Sequence, residues 1–296
     1  MSDSKLEQLE SLIRSYQSCL VAYSGGVDSA FLAVLTHRVL GDKALAAIAD
    51  SPSLPRSELA EARALARAFG FRLRAIQTQE LTQSDYTSNP VNRCYFCRAE
   101  LFRHLTPIAL EERIDVVVYG ENASDLGDLR PGRVAAHEFQ VRAPLAEVGL
   151  EKSEIRALSR AMGLPTADKA AQPCLSSRIP YGEVVNPEKL ALIEQGEGVL
   201  HERGFDEVRV RLHERAEGYG ARIEIPEKEL SRFIQEGHQS GVEQALEAIG
   251  FQEVLVDPRG YRRGSLNEAQ LPAPSLSESP SSIPERERPS ESGDPI

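Results

Sequence analysis

The six residues Ser24-Gly25-Gly26-Val27-Asp28-Ser29 constrain this chain more than any other segment. They follow a short apolar run at 20–23, which reads as a buried strand, and they open a helical pattern over 27–40. Two glycines let the backbone turn tightly between the two elements and approach a ligand closely. The helix start presents unpaired N–H groups and the positive end of its dipole, a combination that binds phosphate. Each charge-assisted hydrogen bond contributes about 1.5–3 kcal/mol, so several together make a site. No lysine follows the glycines as a Walker loop requires, and the three-glycine spacing of a dinucleotide fold is absent. The plainer alternative is a strand–helix turn that uses glycine for geometry and serine for capping.

The alternation continues downstream. Apolar β-formers at 45–49, 72–76 and 116–119 read as strands, separated by helical patterns at 55–69 (closed by Gly70) and 96–110. Strands and helices in strict alternation predict an α/β fold with a mostly parallel sheet and helices on both faces. Ligands then gather at the carboxyl ends of the strands. That places Ala49 to Ser51, Gly120-Glu121-Asn122 and Ser124-Asp125 near the glycine turn, the latter two groups as ligand contacts or as a polar turn. A helix at 151–162, ended by Gly163 and Pro165, precedes an irregular stretch at 166–182. Beyond it the order changes to a helix at 187–203, strands at 208–212 and 221–225, helices at 227–234 and 242–249, and a strand at 253–256. This predicts a first domain over 1–182 and a smaller α+β domain over 183–270. Residues 271–296 are rich in proline and serine and poor in large apolar groups, so they are expected to be disordered.

The chain carries 45 acidic against 34 basic residues, a formal net charge of -11 at pH 7. So acidic a balance argues against a nucleic-acid partner, which needs a basic footprint. No apolar run approaches the ~18 residues that a membrane span needs, and the N-terminus lacks a secretory pattern, so a cytoplasmic address is expected. Four cysteines in a reducing compartment predict no disulfide framework. Cys19 reads as a small buried apolar residue. Cys94 and Cys97 form a C-x-x-C pair between Arg93 and Arg98. The pair alone is half a zinc site, a redox pair or part of an iron–sulfur site. His104 is a candidate fourth ligand or a helix-surface histidine. Cys174 can join the pair as a third thiolate. It lies in an irregular loop near Lys169 and Arg178, which would lower its pKa from about 8.5 and make it a nucleophile.

The string Ser24–Ser29 resembles the PP-loop of ATP pyrophosphatases, shared by NAD synthetase, GMP synthetase and tRNA thiolation enzymes. The resemblance implies an adenine nucleotide alpha hydrolase-like domain that takes ATP and Mg2+ and cleaves between the α- and β-phosphates. Ser24, Gly25, Gly26, Asp28 and Ser29 would hold the pyrophosphate, and Ser51 and Gly120 would approach the nucleotide. Further segments narrow the resemblance: Asn92-Arg93-Cys94-Tyr95-Phe96-Cys97, Gly120-Glu121-Asn122-Ala123-Ser124-Asp125, Pro173-Cys174-Leu175-Ser176-Ser177-Arg178, Val208-Arg209-Val210-Arg211 and Gly260-Tyr261-Arg262-Arg263-Gly264-Ser265. With these the chain is similar to the LarE family, ATP-dependent sulfur transferases that help make the nickel-pincer cofactor of lactate racemase.

Membership would imply pyridinium-3,5-biscarboxylic acid mononucleotide as substrate, adenylylation of its carboxylate, and displacement of AMP by sulfur at Cys174. In one type of member the cysteine is sacrificed and becomes dehydroalanine. In the other, three cysteines hold a 4Fe-4S cluster that carries the transferred sulfide. The presence of Cys94, Cys97 and Cys174 together favours the cluster type. Arg209 and Arg211, on one face of a strand by their i, i+2 spacing, match the family's substrate-phosphate arginines, or else form an exposed basic edge. Arg178 is a candidate for phosphate or thiolate, and Glu197 would lie near the thiol or on a helix surface. The resemblance also implies a homo-oligomer, up to a hexamer, built through the C-terminal domain. Two other readings are a tRNA thiolation enzyme, opposed by the acidic balance, and a non-catalytic ATP-binding regulator.

Overall fold

The computed structural model describes residues 2–127, 131–235 and 238–262. The tail at 271–296 and residues 263–265 of the last family-like segment lie outside the described residues. The first sheet is built from β1 (Cys19–Ala22), β2 (Ala44–Asp50), β3 (Arg72–Gln77) and β4 (Val116–Tyr119). The helices around it are α1 (Ser2–Ser15), α2 (Val27–Leu40), α3 (Arg56–Phe69), the one-turn α4 (Ser84–Thr87), α5 (Arg93–Glu111), α6 (Pro131–Glu138), the one-turn α7 (Pro144–Glu147) and α8 (Lys152–Ala161). Then come α9 (Pro187–His201), β5 (Arg209–Arg215), β6 (Gly218–Glu224), α10 (Glu227–Gln235), α11 (His238–Ala248) and β7 (Phe251–Val256). The described residues pack as one unit.

The four-stranded sheet has the order β3-β2-β1-β4 and is parallel throughout. Because side chains alternate along a strand, β1 feeds two cores. Cys19 and Val21 join Leu9, Ile13, Phe31, Leu59 and Ile155 from α1, α2, α3 and α8 on one face. Leu20 and Ala22 join Phe102, Leu105 and Ala135 from α5 and α6 on the other. Helices therefore cover both faces, as the alternation predicts, and the carboxyl edge of β1 and β4 is left open.

A separate mixed sheet follows the order β5-β6-β7, with β5 and β6 antiparallel and β7 parallel to β6. Its strands begin earlier or end later than the apolar pattern suggests. β5 and β6 run on through Glu214, Arg215, Gly218 and Tyr219 to a tight hairpin, because backbone pairing continues past the last core-facing residue. The core of this sheet recruits Tyr86, Leu175 and Ile179 from the earlier part of the chain, and Cys97 packs at its margin. That packing brings the segment before α5, the Cys174 segment and the second sheet together.

Candidate active site

The glycine turn closes on itself before it meets any ligand. Gly25 takes φ +76, a left-handed conformation that favours glycine. Gly26 is the extended N-cap of α2, a fourteen-residue helix, and no side chain caps the first-turn N–H groups at that end. The Ser29 hydroxyl donates to the Gly26 carbonyl at 3.1 Å and accepts from the Ser24 N–H at 3.2 Å, and the Ser24 hydroxyl lies 3.0 Å from it. Gly120, the residue after β4, presses on this turn: a Cβ there would lie 2.7 Å from the Ser29 nitrogen. Glycine is therefore required at 120 for close packing of backbone on backbone. Asp28 is held by the Lys152 ammonium at 2.8 and 2.9 Å and by the Asn122 amide at 3.2 Å.

Of the residues after β4, Gly120 faces the cavity described below. Glu121 accepts from the Tyr119 hydroxyl and from Arg133. The Ser124 hydroxyl accepts from the Lys152 N–H, and the Asp125 carboxylate from the Asn122 N–H. Ser124 and Asp125 thus take part in the hydrogen bonds of a polar turn beside the glycine loop.

A cavity of about 320 Å³ opens at this carboxyl edge. Ser24, Gly26, Asp28 and Ser29 of the turn line it, with Ser51 after β2, Thr78 and Glu80 after β3, Cys97 and Arg98 on α5, and Cys174. The phosphate-type turn and two thiols therefore share one space. The Cys174 loop is fixed to the first sheet where the Leu175 N–H donates to the Ser53 carbonyl at 2.8 Å. It is fixed to the α5 region by Tyr86, whose hydroxyl lies 2.7 Å from the Ser176 hydroxyl, and by Arg93, which donates to the Ser176 carbonyl at 2.9 Å. Burial, and then the neighbouring Cys174 and Cys97, raise the Tyr86 phenol above its usual range. The Cys97 sulfur is reached from the cavity yet lies deep among protein atoms. Burial, followed by Cys174 and Glu80, pushes it well above the ordinary thiol range, so it is a thiol at neutral pH. Glu80 is only 2% exposed. One of its oxygens accepts from Ser53 at 3.3 Å, while the other is buried with no partner among the described residues.

Neither cation expected beside Cys174 is free to serve it. Lys169 lies on the cavity wall but binds Glu58 at 2.6 Å and Glu61 at 2.7 Å. Arg178 is fully buried. It pairs with Glu197 through Nε and Nη2 at 2.8 and 2.9 Å and donates through Nη1 to the Pro173 and Cys174 carbonyls and the Ser177 hydroxyl. Arg209 and Arg211 share one face of β5 as expected, but that face is interior, not an exposed basic edge. Arg209 donates to the Ala171 carbonyl at 2.8 Å and stacks on Tyr261 at 5.0 Å. Burial, and then Arg178, lower its pKa. Arg211 binds Glu224 and donates to the Ser177 carbonyl at 2.8 Å. The three arginines thus staple the 171–177 main chain from behind, and none of them lines the cavity. Glu197 is buried as the partner of Arg178.

The other cysteines fall apart by environment. Cys19 is buried, and burial pushes its thiol up to about 12. Cys94 is exposed on the first turn of α5. His104 is engaged by Glu100 at 2.9 Å. Among the described residues no group of three or more His, Cys, Asp or Glu side chains is arranged to hold a metal ion. Lys152, Ser53, Thr78, Glu80 and Arg98 are site residues that the motifs did not single out. Arg98 alone carried a signal, one residue beyond the C-x-x-C pair.

The chain is similar in sequence to several known proteins. The family model described as NAD synthase matches residues 6–92, which include the glycine turn. A pyridinium-3,5-bisthiocarboxylic acid mononucleotide synthase of Lactiplantibacillus plantarum is 31% identical over 265 residues, 89% of this chain and 94% of the relative. An uncharacterised protein of Synechocystis sp. is 43% identical over 90% of this chain and 98% of its own length. One component of the glutamine-hydrolysing GMP synthase of Methanococcus maripaludis is 28% identical over 68% of both chains.

Proposed function

This chain belongs to the LarE family of PP-loop, ATP-using enzymes, and from that premise we propose that it converts pyridinium-3,5-biscarboxylic acid mononucleotide to a thiocarboxylate with sulfur delivered at Cys174. The observation that carries the proposal is the single cavity lined by both the PP-loop and Cys174. The α2 N-terminus and the loop hydroxyls would grip the β- and γ-phosphates of ATP, where backbone N–H groups and the helix dipole favour anions. Mg2+, a hard cation that prefers oxygen ligands, would neutralise the phosphates, with Asp28 as its carboxylate on the loop. The substrate carboxylate attacks the α-phosphorus, pyrophosphate leaves into the loop, and an acyl adenylate forms. The Cys174 sulfur, its proton removed, attacks the acyl carbon and AMP departs, leaving a thioester. Loss of the Cys174 Cα proton with cleavage of its Cβ–S bond then releases the thiocarboxylate and leaves dehydroalanine.

The stapling of residues 171–177 by Arg178, Arg209 and Arg211 supports this assignment. A nucleophile must sit within reach of the acyl carbon, and a fixed loop supplies that proximity before substrate arrives. The cluster reading has its own support: Cys94 and Cys97 are one helical turn apart on α5, and Cys97 shares the cavity with Cys174. A bound cluster would supply exchangeable sulfide. With Cys94 exposed and Cys97 half-buried on the cavity wall, the three cysteines do not form a ligand set as they stand, and no step is routed through one.

The test is a single-turnover reaction with Cys174→Ala. It should bind MgATP as the parent does and form AMP-linked substrate, yet yield no thiocarboxylate. Thiocarboxylate from the variant would defeat the proposal. Iron content and the intact mass of the spent parent distinguish the sulfur sources. Colourless protein that has lost the mass of H2S marks sacrifice, and unchanged mass with bound iron marks the cluster.

A further inference from the structure

Among the described residues, four cationic residues line the cavity: Arg98, Lys152, Arg156 and Lys169. Three of them are already committed. Lys152 binds Asp28, Lys169 binds Glu58 and Glu61, and Arg156 donates to the Ala167 and Lys169 carbonyls at 2.6 and 2.9 Å. Arg98 is different. Its Nη1 is buried without a hydrogen-bond partner among the described residues. Leaving such a donor unpaired is unfavourable, so the fold must hold it in place by other means.

Those means are visible. The guanidinium carbon lies 5.0 Å from the centre of the Tyr119 ring on β4. α6 also packs on the stem, so closely that a Cβ on Gly132 would lie 2.5 Å from Arg98 Cδ and 2.9 Å from Nε. The stem is clamped, Nη1 is covered by protein atoms, and Arg98 is one of the residues that line the space shared by the PP-loop and Cys174. Arginine presents its donors in a rigid fork that matches two oxygens of a carboxylate or phosphate.

We propose that Arg98 is the anion-positioning residue of this cavity, binding an oxyanion of the reactants, either a phosphate of ATP or the carboxylate of the acceptor. The carboxylate source rests on the adenylylation reading above, whereas the phosphate source needs only MgATP binding. Arg98→Met keeps an apolar stem against Tyr119 and removes the charge. Calorimetric titrations with MgATP, and with pyridine-3,5-dicarboxylate on protein loaded with the α,β-methylene analogue of ATP, separate the two sources. Loss of a charged hydrogen bond predicts that one probe binds the variant about tenfold or more weakly while the other is unchanged. Arg98→Lys should recover part of the loss, because the charge returns without the fork. The probe that weakens names the source. If Arg98→Met shows no cooperative melting, Arg98→Gln is titrated instead. Equal binding of both probes to parent and folded variant overturns the assignment. A parent that ignores the dicarboxylate reduces the question to MgATP, and unchanged MgATP affinity then overturns it as well. Failure of sulfur transfer with intact MgATP effects would count against the acceptor reading, not against Arg98.

Discussion

Gly120→Ala offers a sharp perturbation of the phosphate turn, because it adds one methyl group at a place where only main chain can yield. The new Cβ would start 2.7 Å from the Ser29 nitrogen and 3.0 Å from the Asp28 carbonyl carbon and the Ser29 Cα. Reaching ordinary contact requires a displacement of about 0.7 Å, and it falls on the first turn of α2 and the end of β4. Overpacking of this kind typically costs about 1–3 kcal/mol. At about 2–4 °C per kcal/mol for a chain of this size, Tm should drop by several degrees. The same shift moves the N–H groups proposed to hold phosphate, so MgATP affinity should fall by about tenfold, the equivalent of 1.4 kcal/mol. Gly127→Ala serves as the control, since a Cβ there meets nothing within 4 Å. Differential scanning calorimetry and isothermal titration with MgATP read both effects. Parent-like Tm and parent-like affinity in Gly120→Ala would refute the packing argument and the assignment of the turn.

Two further outcomes test the scaffold. Glu197→Gln leaves the fully buried Arg178 guanidinium without its carboxylate, which should lower stability by about 3–5 kcal/mol. Urea unfolding within 1 kcal/mol of the parent would show that the pair is dispensable. His213 is held down to about 4, first by burial and then by Arg222 and Arg215. The unfolded chain takes up that proton near pH ~6.5 and the native state only near 4. The stability contributed by the neutral ring is therefore present above about pH 6.5 and lost as pH falls toward 4. Urea midpoints measured across that window should fall less steeply for His213→Gln, and parallel slopes would contradict the burial argument.

Much of the first sheet was readable because β1 through β4 are short apolar runs separated by helices and turn residues. The helix α1 was equally readable in Leu6, Leu9 and Ile13, which recur at helical spacing and pack on the core. The glycine turn was legible because strand, glycine pair and helix are contiguous. Sharing of one site by Cys174 and that turn was implied only by the family resemblance, since no local pattern encodes the long-range bond from Leu175 to Ser53. The arginines show the converse. Spacing places Arg209 and Arg211 on one face, but whether that face meets solvent, ligand or a loop depends on Glu224, Ala171 and Ser177, far away in sequence. The C-x-x-C pair is also ambiguous until α5 is seen to start at Arg93, which puts Cys94 in solvent and Cys97 on the cavity wall.

Nucleotide and sulfur must occupy the same space for the transfer to occur, and cysteine alkylation mapped by peptide mass spectrometry measures this directly. Saturating MgATP should slow modification of Cys174 by iodoacetamide severalfold while Cys94, exposed on α5, reacts at an unchanged rate. Equal rates at Cys174 with and without bound MgATP would mean that the nucleotide lies elsewhere.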